Sequence, residues 1–330
     1  MIKISVVILV YNHERYIRQA LEGVLMQQTN FVYEVIIGDD SSTDQSQAII
    51  REMIPKFEGR MVPILRKKNL GAMANLLDLL QRVCGEYVAF LEGDDYWIDP
   101  LKLQKQVEYL ERHPEFVACY HKNQLVNGNG KLLQEKVDAY GDLEEFTLHE
   151  QNLFMLPGQT ATTMVRSNVI KKYNFSDLKK YKLKYTPGDR ILPILLLSEG
   201  RIYCSQEVMS AYRTVVESDT DSWTKKYGLK NAFGNMAVFR MHKEMERIGK
   251  GVGLEICLKD ADVDSYVEAC QELVFKKRVS YLPNLLYMFL FSTHRLYMIT
   301  KGNKIFILDI KAKVSRKLKN AKVINKMKLK

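Results

Sequence analysis

Four short β-branched runs, each followed by a helical stretch, constrain this chain more than any other feature. Ile4–Val10 is almost continuously apolar, as a strand buried on both faces must be. Glu14–Gln27 then carries Ile17, Leu21, Val24 and Leu25 at helical spacing. The alternation repeats. Tyr33–Ile37, Val62–Leu65, Tyr87–Leu91 and Phe116–Tyr120 read as strands. Ser42–Met53, Ala72–Val83 and Pro100–Arg112 read as the helices between them, the last with proline in its first turn. Strands separated by helices of this length form βαβ units and a mainly parallel sheet, so the fold class is α/β. Ligands of such sheets bind beyond the carboxyl ends of the strands.

From Asn123 the pattern changes. Asn127–Gly130 (NGNG) is a turn signal between two extended pieces. Thr160–Val165 and Ile202–Tyr212 read as further strands around a short helix, Arg190–Ser198, and the chain reads as helical from about Trp223. No repeat is visible. The expected division is a first domain over 1–215 and a helical region over 216–330. Between Lys311 and Lys330 there are nine Lys/Arg and no acid, with Ile307, Ile310, Val314, Leu318, Ala321 and Ile324 at helical spacing. This basic amphipathic segment, 305–330, reads either as an in-plane anchor to an anionic membrane surface or as a solvated surface helix.

Composition narrows the class. At 330 residues the chain allows one large domain or two smaller ones, and 27% charged residues exclude a mainly disordered or polytopic membrane chain. A net charge of +10 points to an anionic partner. Five scattered cysteines without a CxxC argue against a disulfide framework or a zinc site and fit a cytoplasmic protein. The apolar N-terminus lasts about eight residues and reads as a strand rather than a signal peptide. The longest apolar stretch, Leu285–Thr293, is far below the ~20 residues that span a bilayer.

Each of the first four strands ends in a polar cluster: Tyr11–Glu14, Gly38–Asp44, Lys67–Gly71 and Glu92–Trp97. A tyrosine at the first turn can stack on a planar base, and an adjacent carboxylate can accept a base N–H. The Glu92–Asp95 cluster concentrates like charge, which suits Mg²⁺ or Mn²⁺ bridging a diphosphate. The structural alternative for Ser42 and Asp44 is that they cap the second helix. Trp97 lines the acceptor side or simply packs in the core. Met236, Met241 and Met245 at helical spacing read as core.

The blocks SVVILVYN, YEVIIGDDSSTD, KNLGA and FLEGDDYWIDP resemble, in order and spacing over roughly residues 1–215, the signature blocks of inverting family 2 glycosyltransferases of the bacterial surface-polysaccharide type. The resemblance implies a GT-A nucleotide-sugar transferase fold. It implies that Tyr11 and the Asp39–Asp40 pair hold the nucleotide base, Asp40 being the closer match, and that Asn69 and Gly71 line the donor. Glu92-Gly93-Asp94-Asp95 matches the DxD motif. Asp94 is then expected on the ribose and the metal, and Asp95 on the metal, which is Mn²⁺ or Mg²⁺; Glu92 stands where aspartate is usual. Thr186-Pro187-Gly188-Asp189 is similar to the block that carries the general base, here Asp189, with Gly188 in place of glutamate. Val208–Arg213 matches a third block. Many relatives place a histidine soon after it, where this chain has Thr214, Val215 and Val216. The polar stretch 217–227 that follows reads as a lid or a linker.

The resemblance implies a metal-dependent inverting transfer from a nucleotide-diphosphate sugar, with a UDP-sugar as the favoured donor. The acceptor would be a hydroxyl of a glycan or lipid-linked glycan at the inner face of the membrane. A sugar nucleotidyltransferase on a similar fold is the first rival, but Tyr11–Arg15 lacks the glycine-rich basic loop of such enzymes. A non-enzymatic membrane or nucleic-acid binder is the second. Nucleic acid is not an expected partner, because no repeated basic–aromatic surface pattern is present.

Overall fold

Side chains alternate across β1 (Ile4–Val10), and both faces are buried. Ile4, Val6, Ile8 and Val10 enter one apolar layer; Val7 enters the other. In the computed structural model, which describes residues 1–137, 140–173, 183–214 and 232–310, this strand sits in the middle of a ten-stranded sheet. The chain continues through α1 (Ile17–Leu25), β2 (Tyr33–Asp39), α2 (Ser46–Met53), β3 (Met61–Leu65), α3 (Ala72–Leu80), β4 (Tyr87–Glu92), β5 (Tyr96–Trp97) and α4 (Lys102–Arg112). It then forms β6 (Phe116–Asn127), β7 (Leu132–Val137), β8 (Glu145–Phe146), α5 (Leu148–Asn152), β9 (Met164–Arg166), α6 (Ser167–Lys172), α7 (Gly188–Leu197) and β10 (Arg201–Thr214).

The sheet order is β3-β2-β1-β4-β9-β6-β10-β5, with β7 added to β6 and β8 to β10. The first four strands are parallel, so their carboxyl ends share one edge. Register aligns Val10 with Asp39, Asp39 with Leu65, and Leu9 with Glu92. Strand β9 runs antiparallel to both β4 and β6, and β10 runs parallel to β6. The ends of β6 and β10 therefore point to the same edge. One layer is closed by α1, α2 and α4 through Leu21, Ile50 and Val107; the other by α3, α6 and α7 through Leu79, Ile170 and Leu196. All five cysteines are unpaired, as expected.

Three expected elements differ. The helix expected from Ser42 begins at Ser46, because the intervening residues are taken by loop hydrogen bonds described below. Thr160–Thr162 is a 3₁₀ turn rather than a strand, since Thr162 bonds back to the Gln159 carbonyl through both its N–H (3.0 Å) and its hydroxyl (2.7 Å). The fifth long strand runs on to Asn127, where the NGNG turn begins, and β7 pairs back antiparallel.

A second compact unit is made mainly of residues 232–246 and 255–310. Its helices are α8 (Ala232–Gly251) up to Glu246, α9 (Lys259–Phe275) and α10 (Leu282–Phe291), with a helical stretch over 295–310. Phe239, Val263, Val267, Met288 and Met298 form its core. Buried Asp262 takes His242 (3.0 Å) and Lys243 (2.7 Å). Of the expected methionine stripe, Met241 and Met245 are buried and Met236 is half-buried. The boundary expected at 215/216, the stretch 217–227 and most of the basic tail, 311–330, lie at or outside the limits of the described residues.

Candidate active site

The first two strand-end loops are stitched together. Asn12 and Ser41 adopt left-handed backbone conformations (φ 56° and 66°), which turn each loop back toward the other. Asn12 N–H donates to Ser42 Oγ (2.9 Å), and Asn12 Oδ1 accepts from Thr43 N–H (2.8 Å). His13 N–H donates to Ser46 Oγ (2.8 Å), and Glu14 N–H to Asp44 Oδ2 (2.9 Å). Ser42 therefore holds the loop before α2 instead of capping the helix. Asp44 also turns its own loop, accepting from Ser46 N–H at 2.9 Å.

The third loop is tied to the second by the acidic pair. Asp39 is fully buried; its Oδ1 accepts from Ser42 N–H (2.9 Å) and Gln47 Nε2 (2.6 Å). Asp40 accepts from Leu70 N–H through Oδ1 and from Gly71 N–H through Oδ2, both at 2.8 Å. Asn69 completes the turn, donating to the Asp40 carbonyl (3.0 Å) and accepting from Gly71 N–H (2.9 Å). Gly71, at φ 87° with open space where a β-carbon would stand, opens α3 in a conformation that favours glycine. Both carboxylates thus fix loop geometry; Asp39 Oδ1 is saturated by its two donors and Oδ2 accepts from Ser42 Oγ, whereas each Asp40 oxygen keeps lone-pair capacity for one more donor. Arg66 stands 3.9 Å from Asp40 Oδ1, held there by Asp78 (2.6 Å) and Asn75 (3.0 Å). Tyr11 is half-buried at the end of β1.

The fourth loop carries the acidic block. Asp95 is 1% exposed. Its Oδ1 accepts from Arg213 N–H (2.8 Å), while its Oδ2 is buried without a partner. Arg213 holds the same turn from its side chain: Nε donates to the Asp94 carbonyl (2.8 Å) and Nη2 to Gln19 Oε1 (2.7 Å), with the guanidinium over the rings of Tyr16 and Tyr96. Gly93 N–H bonds the Leu9 carbonyl at 2.8 Å. A β-carbon on Gly93 would come within 2.7 Å of His13 Nδ1 and 3.2 Å of that carbonyl. Gly93→Ala is expected to cost about 1–3 kcal/mol through overpacking and to weaken nucleotide binding by displacing the acidic turn. Calorimetric titration with a nucleoside diphosphate, beside a melting curve, tests this; wild-type values in both would refute it.

Asp189 lies in the first turn of α7, and its Oδ1 is also buried without a partner. A β-carbon on Gly188 would be 3.3 Å from Met73 Cε, so the starts of α3 and α7 converge. Burial raises the Asp189 carboxyl above its ordinary range, with Arg190 opposing. Glu92 is pushed up to about 8 by burial first, then by Asp94 and Asp189. Asp95 is raised well above the carboxylate range by burial, then by Asp94 and Glu92. Tyr212 is pushed up to about 12 by burial and then by all four carboxylates, Asp95, Glu92, Asp94 and Asp189. The expected acidic block and the expected base thus share one electrostatic neighbourhood.

These groups fit a divalent cation in part. Among the described residues no three His, Cys, Asp or Glu side chains are already gathered around one point. The orphaned Asp95 oxygen beside Asp94 supplies one or two hard ligands, the number Mg²⁺-type ions take from protein when phosphate and water fill the remaining positions. Trp97 does not face this crevice: it is 1% exposed and donates to the Ala161 carbonyl at 2.9 Å, a core residue. Sequence reasoning missed Arg66 and gave Tyr212 and Arg213 no role. Arg213 lay in a recognised block, but nothing in its spacing signals that it reaches back to the DxD turn.

A sequence model described as Glycosyl transferase family 2 matches residues 5–177. An uncharacterised protein of Mycobacterium tuberculosis is 50% identical over 126 residues, covering 38% of this chain and 36% of that protein. The match thus spans about a third of the relative's length. Among solved structures, Staphylococcus aureus TarS 1–349 in complex with UDP-GlcNAc superposes with a TM-score of 0.60 at 17% identity, covering 87% of this chain and 79% of TarS. The mannosyltransferase PcManGT from Pyrobaculum calidifontis, in complex with GDP-Man and Mn²⁺, superposes with a TM-score of 0.54 at 13% identity, covering 93% and 87%. At these identities the likeness is one of fold.

Proposed function

Because the chain belongs to glycosyl transferase family 2, we propose that it transfers a sugar, with inversion, from a nucleoside-diphosphate donor to a hydroxyl of a glycan or lipid-linked glycan. The observation that carries this reading is the convergence of Glu92, Asp94, Asp95 and Asp189 on one edge of the sheet, with two of their buried oxygens unpartnered. Tyr11 stacks on the base. Asp39 and Asp40 set the base-binding loops, and Asp40 accepts a base N–H with its remaining lone pair. Asn69 and Gly71 line the donor. Asp94 takes the ribose and, with Asp95, holds Mn²⁺ or Mg²⁺. The ion, when bound, neutralises charge on the departing diphosphate. Asp189 accepts the proton of the acceptor hydroxyl as it attacks the anomeric carbon. Its raised proton affinity and open lone pairs suit a base. UDP is the favoured base-and-diphosphate unit, supported by the TarS complex.

Melting curves with UDP, GDP, dTDP and CDP, each with and without Mn²⁺, test the reading. A ligand at 100 times its Kd adds about 2.7 kcal/mol, which raises Tm by on the order of 5 °C for a chain of this size. The expected result is stabilisation by UDP that needs Mn²⁺ and is lost in Asp94→Ala. No response to any diphosphate would overturn the donor site; a response indifferent to metal and to Asp94 would overturn the metal assignment.

A further inference from the structure

Helix α10 is turned the wrong way round for a core helix. Its buried positions are Asn284 and Met288, and the Asn284 amide donates to the Ala232 carbonyl (2.6 Å) and to Asn235 Oδ1 (2.9 Å). Leu282 (54%), Leu286 (60%), Phe289 (48%) and Leu290 (55%) are exposed instead. Their spacing, i, i+4, i+7 and i+8, is one helical face. Phe291 and Leu296 are also exposed and lie just beyond it. A contiguous apolar patch on a surface marks an interaction site.

Charge identifies the occupant. From Lys276 to Leu308 there is no acidic residue, while Lys276, Lys277, Arg278, Arg295, Lys301 and Lys304 surround the apolar stripe in sequence. Glu272 pairs with Lys276 and Arg278, and Asp260 with Lys301, so the flanks remain positive on balance. A second copy docking face to face would bring two basic rims together, which is repulsive. An anionic bilayer supplies both missing partners. Among the described residues no helix is long and apolar enough to cross a membrane, so the stripe would lie in the plane of the interface. We propose that Leu282–Leu296 is a docking face for an anionic lipid surface, with the leucines and phenylalanines entering the acyl boundary and the basic flanks meeting lipid phosphates. The inserting element is then α10 rather than the basic 305–330 segment alone. This inference is independent of the transfer reaction.

Flotation of the full chain with phosphatidylcholine vesicles, and with vesicles of equimolar phosphatidylcholine and phosphatidylglycerol, tests it. Flotation is expected with the anionic vesicles only and should weaken with salt. Leu286→Ser/Leu290→Ser is expected to lower partitioning about a hundredfold while leaving Tm and UDP binding unchanged. Lys277→Glu/Arg295→Glu is expected to abolish the preference for anionic lipid. Failure of the wild type to float, or undiminished flotation of the double serine variant, would overturn the proposal. So would a wild-type dimer that the serine variant dissolves without change in flotation, because the face would then join two copies.

Discussion

Asp189→Asn is expected to lower kcat by about 10²- to 10⁴-fold, the usual contribution of a general base, and to leave UDP affinity within a few fold. The amide keeps the size of the side chain and its place at the start of α7 but has no basic oxygen for the acceptor proton. Rapid transfer by the variant would refute the assignment. The pH profile supplies a second reading. Burial raises the Asp189 carboxyl above the carboxylate range, and a base works only when deprotonated. The acid limb of kcat/KM should therefore lie above the usual carboxylate range in the wild type and vanish in the variant. A fall in UDP affinity as large as the fall in kcat would instead make Asp189 a donor-binding residue.

Arg213→Ala should have the largest effect on stability. The side chain is 5% exposed and holds the Asp94 carbonyl, Gln19, and more distantly the Asn127 and Gly128 carbonyls (3.4 and 3.3 Å). Truncation strands these buried acceptors and empties the space between Tyr16 and Tyr96. Losing several charge-assisted bonds costs about 3 kcal/mol, or a fall in Tm of about 5 °C for a chain of this size. Arg213→Lys should recover little, because one ammonium cannot span acceptors set around a planar fork. The backbone bond from residue 213 to Asp95 survives both changes, so donor affinity should fall less steeply than Tm. Scanning calorimetry beside UDP titration separates the two; an unchanged Tm would dismiss the clamp.

The first half of the fold was legible because its strands are buried on both faces and so are written as unbroken apolar runs. Ile4–Val10 matches to the residue, and β2, β3 and β4 to within two residues at each end. Helix starts were harder. Ser42 looks like a cap, but its hydroxyl is spent on Asn12, a residue thirty positions away that only the folded sheet brings near. The same holds within the site. Clustered polar residues at strand ends mark where to look, since local sequence fixes each loop. What the carboxylates of Asp39 and Asp40 bind depends on pairing between loops. Arg213 is the extreme case, reaching residues more than a hundred positions away that only the pairing of β5 with β10 brings beside it. The outward-facing leucines of α10 escape periodicity altogether, because an apolar stripe reads the same whether it faces a core or the surface.

The carboxylates crowded at the sheet edge also bear on how long the protein survives in a cell. Groups whose proton affinity is raised by folding bind more protons in the native state than in the unfolded chain. Stability therefore falls as pH climbs from the ordinary carboxylate range toward the raised values, about 8 for Glu92. At neutral pH the unliganded fold carries this penalty, and anything that brings positive charge to the edge relieves it. A copy with no cation at this edge opens more often than a cation-bound one and is the readier substrate for proteases.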